Sequence, residues 1–336
     1  MTQLDRDRMI FALPSKGALA EPTEAFLKDC GLKVNRLNPR QYTGTIATLP
    51  GLEVLYQRVI DIVYKVADGT AALGITGLDV LQEHPSPDIV VIHEALGYGH
   101  CHLCVAVPEA WVDVENITDL TEIALDFREK KGRNLRIATK YTRQARQFLH
   151  QHQIHHFTLV QAEGSIEAAP TIGYADMIVD LTQTGTTLRE NHLKQIEGGT
   201  IMSAQACLIG NRHALQEPAV REAVRILTEY LDAALNGRNC VQITADIRGE
   251  SAEEVAALVA TNSLTQGLLG PTVAPIYSAR DAGEKWHTIT LTISNKNLLA
   301  CVEHLRAIGG THVIVSPVRL LFLEQSPTFR QLLEKL

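Results

Sequence analysis

The chain has 336 residues, of which 45% are apolar and 21% charged, with a formal net charge of −7. That length exceeds a single core and suits two or three compact domains. The acid surplus excludes a general nucleic-acid binder, which needs excess Lys and Arg to displace counterions; a small phosphorylated ligand needs only a few amides and one or two cations.

In chain order, Met9–Leu13 is a short apolar run that ends in Pro-Ser-Lys-Gly, a buried strand entering a turn. Glu21–Cys30 has helical spacing and Gly31 stops it. The spacing of Leu55, Ile60 and Val63 predicts a helix over Val54–Ala67, and Ala72–Ile75 and Ile89–His93 read as strands. Further on come a strand at Leu135–Thr139, a basic helix at Arg143–His152 and a strand at Phe157–Val160. Met177–Leu181 is a continuous apolar strand running into Thr-Gly-Thr-Thr. Alternation of this kind predicts an α/β domain, with its ligand site at the carboxyl ends of the strands.

The texture changes near Leu235-Asn236-Gly237-Arg238, after a long helix over Glu217–Leu235. The remaining hundred or so residues read as strand Cys240–Ile247, helix Ser251–Ala260, extended Thr272–Tyr277, period-two strand His287–Ser294, helix Asn297–Ile308 and strand Val313–Val318. That β-α-β-β-α-β order predicts a ferredoxin-like, ACT-like unit. Ser251 with Glu254 three residues later fits a capping box.

No segment approaches the roughly 20 apolar residues of a spanning helix, and residues 1–17 lack the apolar run of a signal peptide. The expectation is a cytoplasmic protein with no membrane partner. Six cysteines then read as reduced thiols. Cys101-His-Leu-Cys104 is half of a tetrahedral zinc set, and structural thiols on a strand are the better reading. No metal site made of protein side chains is expected.

The chemistry concentrates in Glu163–Glu167 and Asp180–Leu188. Asp180 follows Met-Ile-Val at the end of a buried strand, where an unpartnered charge is costly. Thr184-Gly185-Thr186-Thr187 then offers clustered amides and hydroxyls at a helix start, a phosphate cradle into which Gly185 admits close approach. Asp180 beneath it is placed to accept from two ribose hydroxyls. Lys16, after a strand and before Gly17, is placed to meet a phosphate.

These residues also carry a resemblance. Glu167, Gly173, Ala175, Ile178, Asp180, Leu181, Thr184, Gly185, Thr187 and Leu188 fall in the order and spacing of the signature of ATP phosphoribosyltransferases. Leu13–Gly17, Arg58 with Asp61, Leu73–Gly77 with Asp79, Gly97–Gly99 with Cys101, and Arg136–Tyr141 resemble further landmarks of that family, and Val313–Val318 resembles the end of its long, regulated form. Ala18 and His102 stand where the family usually has Arg.

The resemblance implies a two-lobed, periplasmic-binding-protein-like catalytic core with a C-terminal regulatory domain. Lobe I is expected over residues 1–95 plus 190–235, lobe II over 96–189 and the regulatory domain over 238–336. It implies that N1 of ATP attacks the anomeric carbon of phosphoribosyl diphosphate and expels pyrophosphate, with Mg²⁺ arriving chelated by substrate. Asp180 and Glu167 are the implied catalytic carboxylates. Asp180 and Thr184, Gly185, Thr186, Thr187 and Leu188 would hold phosphoribosyl diphosphate, and Ser15, Lys16, Gly17, Arg58, Gly77 and Asp79 would hold ATP. Histidine is the implied inhibitor, with Thr272, Gly310 and Thr311 as candidate contacts, and the assembly is a homo-oligomer, dimer or hexamer. A rival reading is a catalytically silent relative that only senses or binds, suggested by Ala18 and His102.

Overall fold

The computed structural model describes residues 9–38, 40–268, 270–277 and 284–336. They form two compact units: the described residues up to Phe26, Val34–Ala223 and Leu332–Leu336 in one, Leu27–Lys33 and Val224–Gln331 in the other.

The first unit is mixed α/β, with two sheets. One sheet has seven strands, in the spatial order Val34–Asn35, Thr43–Ile46, Leu52–Gln57, Met9–Pro14, Leu73–Gly77, Ala206–Asn211, Ile89–His93. The other has five, in the order Leu193–Ala204, Cys101–Pro108, Met177–Thr182, Leu135–Thr139, Phe157–Gln161. The central strands are buried on both faces, which is why Met177–Val179 and Leu73–Gly77 read as unbroken small or apolar runs. The chain passes between the lobes at about residues 94–100 and again at Gln205. There Leu96 N donates to Ala206 O (3.0 Å), Ala206 N to Tyr98 O (3.0 Å) and Gly97 N to the Gln205 side chain (2.8 Å).

Two sequence expectations change. The predicted helix over Val54–Ala67 is a strand, Leu52–Gln57, followed by a helix, Val59–Ala67. Leu52, Val54 and Tyr56 are buried with period two and the strand pairs in parallel with Met9–Pro14; Arg58 remains extended before the helix starts. The return to lobe I falls at Gln205 rather than near Glu190. Leu193–Ala204 pairs antiparallel with Cys101–Pro108 in the second sheet, and its register shifts at Thr200 and Met202 interrupt the alternation that would have marked it as a strand. The second compact unit also takes in the last part of helix Pro218–Arg238, from Val224 onward, ahead of the predicted domain start at residue 238. Within that unit Asp232 accepts from Ser326 Oγ (2.5 Å) and Thr328 Oγ1 (2.7 Å), and Leu321 N donates to Ala233 O (2.9 Å).

The second unit carries a four-stranded antiparallel sheet, ordered Thr272–Ile276, Trp286–Ser294, Cys240–Arg248, Thr311–Pro317. With helices Ala252–Ala260 and Leu298–Ala307 between the strands, this is the ferredoxin-like order. Ile243, Ala245, Ile247, Ile289, Leu291, Val255 and Leu305 make its core. Ser251 caps its helix by accepting from Glu254 N (3.2 Å), but the Glu254 carboxylate takes Glu250 N (2.7 Å), so the cap is not the reciprocal box.

Asp176, which the sequence reading did not single out, anchors the strand beneath the site. Its carboxylate accepts from Arg133 (Nη1 2.6 Å, Nη2 2.8 Å) and from Arg136 (backbone N 2.8 Å, Nη2 3.0 Å). Burial raises its pKa, but the two guanidiniums and the amide outweigh that and hold the carboxyl well below the usual range. Because the folded value is depressed, this stabilisation is present above the unfolded pKa of about 3.9 and is lost as pH falls through the folded one. Asp176→Asn is expected to lower stability at neutral pH by about 1.5–3 kcal/mol, the scale of charge-assisted bonds. In thermal melts the gap from wild type should shrink in strong acid; a gap independent of pH would refute this account.

Candidate active site

Loops at the carboxyl ends of four strands converge on one cleft of about 510 Å³ within the first unit, a volume suited to a small-molecule site. The first sheet contributes Lys16, Gly17 and Ala18 after Met9–Pro14, and Gly77 and Asp79 after Leu73–Gly77. The second contributes Lys140 and Tyr141 after Leu135–Thr139, Glu167, and Asp180 through Leu188 after and within Met177–Thr182. Lys16 and Lys140, both exposed, are the cations among these lining residues.

Asp180 sits where its strand runs out of the core. One carboxylate oxygen accepts from Leu181 N at 2.8 Å. Burial pushes its pKa up; the Leu181 amide and Lys140 pull it down, and the charge of Glu167 pushes it up further. The chain then turns through Gly185, at φ +72° in the left-handed region, and enters the short helix Thr186–Glu190. Gly185 N donates to Thr182 Oγ1 (2.9 Å), and the Thr184 and Thr186 hydroxyls lie 2.9 Å apart. The first amides of a helix have no acceptor inside it, so the amides of Thr186, Thr187 and Leu188 are available to an anion. Leu188 is buried against Cys104, Ile166 and Ile178 and pins the loop to the second lobe. Arg189, absent from the sequence reading, flanks the loop, with Nη2 3.3 Å from Thr186 Oγ1.

Glu167 lies on a 3₁₀ turn, Ile166–Ala168, entered through Ser165 at φ +49°. A non-glycine residue in this region stores backbone strain. Here it turns the chain so that Glu167 lines the same cleft as Asp180.

Two expected ATP contacts are not brought in. Ser15 is exposed and outside the lining, with its N–H given to Gln57 O (2.8 Å). Arg58 is exposed and outside it too, held by Asp61 one helical turn ahead (2.7 and 3.0 Å), whose carboxyl it keeps below its usual range. Asp79 does line the cleft, but it is buried and engaged: Tyr141 donates to its carboxylate at 2.6 Å. Gly77 makes room for that carboxylate, since a Cβ there would stand 2.2 Å from Asp79 Oδ1. Burial and the Asp79 charge push the Tyr141 phenol far up, so it remains a donor.

All six cysteines are free. Burial pushes the thiols of Cys101 and Cys104 up to about 11, which keeps them protonated and inert at neutral pH. Among the described residues no three His, Cys, Asp or Glu side chains are grouped to hold a metal ion, and no helix is long and apolar enough to cross a membrane. His102 lies outside the cleft, 3.0 Å from Ser203 Oγ, in a neighbouring hollow with Arg189 and Lys194.

The effector candidates do not form one pocket within a chain. Thr272 starts one edge strand of the C-terminal sheet and Thr311 starts the opposite edge, with two strands between them. Gly310 N closes the preceding helix on Leu305 O (2.7 Å).

Comparison with known proteins agrees with the motif order. Residues 58–233 match the family described as ATP phosphoribosyltransferase, and residues 238–319 match its C-terminal domain. The chain belongs to the ATP phosphoribosyltransferase family. It is 42% identical to ATP phosphoribosyltransferase 2, chloroplastic, of Arabidopsis thaliana, over 98% of this chain and 81% of that one. It is 33% identical to the ATP phosphoribosyltransferase of Bradyrhizobium diazoefficiens, over 96% of this chain and 97% of that one. In fold it is similar to a chain from the ATP phosphoribosyl transferase complex of Thermotoga maritima, with a TM-score of 0.52 and 24% identity over 66% of this chain and 96% of that one. As an ATP phosphoribosyltransferase of the long form, with its regulatory domain, the chain catalyses the first step of histidine biosynthesis.

Proposed function

We propose that this cleft is where the phosphoribosyl group is transferred, with Asp180 and the loop Thr184–Leu188 holding phosphoribosyl diphosphate and the Lys16–Gly17 loop with Gly77 facing ATP. One observation carries the reading: a half-buried carboxylate lies at the root of a left-handed glycine turn that opens a helix, all on one cleft wall. That combination suits a sugar with a phosphate at one end and positive charge developing at its anomeric carbon.

N1 of the adenine attacks with its own lone pair while the bond from the anomeric carbon to the diphosphate oxygen breaks and its electrons leave with pyrophosphate. No base is needed to start. Asp180 and Glu167 offset the positive charge on the sugar, and Lys16 and Lys140 meet the phosphates. Mg²⁺ chelated by the diphosphate would supply positive charge for the leaving group, with Asp180 and Glu167 the carboxylates nearest to it. Two oxygen donors without a cage suit an ion that keeps its waters and binds mainly through substrate phosphates.

The C-terminal unit is proposed to bind histidine as a feedback inhibitor in a homo-oligomer, dimer or hexamer. A ligand touching both Thr272 and Thr311 would need two copies of the sheet. Six free thiols fit a reducing compartment, whether cytoplasm or plastid.

The deciding experiment is a coupled pyrophosphate-release assay with ATP, phosphoribosyl diphosphate and Mg²⁺. Release that needs all three, and that histidine suppresses, is expected; release without ATP would overturn the reading. The charge of Glu167 gives a finer test. It raises the Asp180 pKa, so Glu167→Gln should move the acid limb of the kcat/KM profile to lower pH. A limb that stays in place or moves upward would separate the two carboxylates.

A further inference from the structure

Helix Thr142–Gln151 starts in the second lobe without a cap of its own. Its N-cap residue, Tyr141, offers no side-chain acceptor, and the opening amides of any helix lack partners within it. The acceptor comes from the other lobe. Glu83, the last residue of helix Leu78–Glu83 and 7% exposed, accepts Arg143 N through one oxygen (2.8 Å) and Gln144 N through the other (3.1 Å). The Thr142 hydroxyl stands 3.4 Å from the first of those oxygens. Three more bonds join the same segments. Gln144 Nε2 donates to Asp79 O (2.9 Å), Arg143 Nη1 to Gln82 O (2.9 Å) and Tyr141 OH to the Asp79 carboxylate (2.6 Å). Every acceptor in this clasp belongs to the first lobe and every donor to the second.

The chemistry is that of an N-cap supplied in trans: a carboxylate satisfies orphan amides at the positive end of a helix dipole. Its position gives it a consequence for the reaction. Asp79 and Tyr141 line the cleft, and Lys140 beside Tyr141 is one of its two lining cations. The separation of the walls carrying Lys16 and Lys140 is therefore fixed on one flank by the clasp and elsewhere by the crossings at residues 94–100 and 205.

We propose that Glu83 is a positioning residue that holds the lobes at their working separation before substrate arrives, by capping helix Thr142–Gln151 across the cleft. This rests on the cleft being the site of transfer. A protein whose competent state is populated only to a fraction f binds with its dissociation constant divided by f. With the clasp intact f stays near one. Without it whichever substrate binds to the empty cleft must meet the cost of closure, so the KM of each rises when the other is subsaturating, while saturating both restores closure and leaves kcat nearly unchanged.

The test has two arms on the full-length protein. Hydrogen exchange on the peptide carrying Arg143 and Gln144, without substrates, should show protection in wild type, loss of it in Glu83→Ala and partial return in Glu83→Gln, which keeps an acceptor oxygen. Kinetics with the co-substrate held subsaturating should show KM for ATP and for phosphoribosyl diphosphate raised about tenfold in Glu83→Ala and less in Glu83→Gln, with kcat at saturation within about threefold of wild type. Unprotected amides in wild type would overturn the proposal. So would unchanged KM values beside a lowered melting temperature, the signature of a purely structural bond. If Glu83→Ala does not fold, Glu83→Gln is read by the same criteria. Loss of all turnover in wild type would strike the substrate assignment instead, and the exchange arm would still decide whether the clasp exists.

Discussion

Asp180→Asn is expected to lower turnover by about 10²–10³ while leaving the melting temperature unchanged or raised. The two halves of that expectation have one cause. Asp180 is held largely out of water, and burial pushes its pKa up, so the resting protein bears a cost for keeping the charge there. Asparagine keeps the shape and an oxygen for Leu181 N, which the carboxylate now accepts at 2.8 Å. It relieves the desolvation, and with it any stability deficit. The charge is lost at the moment it matters, when the anomeric carbon becomes cationic and a preorganised anion is worth more than in water. Removal should therefore fall on kcat more than on KM for ATP. Steady-state kinetics beside a thermal melt reads both. A drop below threefold, or a melting temperature several degrees lower, would mark Asp180 as a structural residue.

How much of this was legible in the sequence depended on how local each feature was. The strand–acid–Thr-Gly-Thr-Thr passage is one continuous segment with a direct physical reading, and its Asp180, Thr184, Gly185 and Leu188 do line one cleft. The ferredoxin-like order was legible because period-two strands such as Trp286–Ser294 pack one face only. Ser15 and Arg58 were misplaced because nearness to a strand end in sequence does not fix where a side chain goes; Asp61, one turn ahead, draws Arg58 away. Tyr141 and Glu83 carried no sequence signal as partners, since their bonds bridge about 60 residues of chain. Leu193–Ala204 was hidden by its own irregularity: Gly198, Gly199 and the register shifts break the alternation. Over Leu52–Ala67 periods of two and 3.6 share enough apolar positions to be confused, and only pairing with Met9–Pro14 separates them.

Gly185→Val should abolish measurable binding of phosphoribosyl diphosphate, raising its KM at least about a hundredfold, with the fold and the affinity for ATP intact. The constraint is the backbone. Gly185 holds φ at +72°, a region where a non-glycine residue costs about 1–2 kcal/mol and a β-branched one more. Space is the lesser obstacle, since an added Cβ would meet only the far end of Arg189, at 3.3 Å from Nη1, and that side chain can swing aside. The valine chain relieves its strain most readily by leaving the left-handed conformation. That rotates the peptide planes on either side and carries the amides of Thr186 and Thr187 away from a common centre. Losing two charge-assisted bonds, each worth about 1.5–3 kcal/mol, accounts for the hundredfold and more. The loop residues Thr184, Thr186 and Thr187 are exposed and Leu188 still anchors the segment, so the core has no reason to respond. Gly185→Ala, strained but not branched, should fall between the two. Calorimetric titration with each substrate separately is the measurement, and an affinity for phosphoribosyl diphosphate equal to wild type in the valine variant would remove the loop from the site.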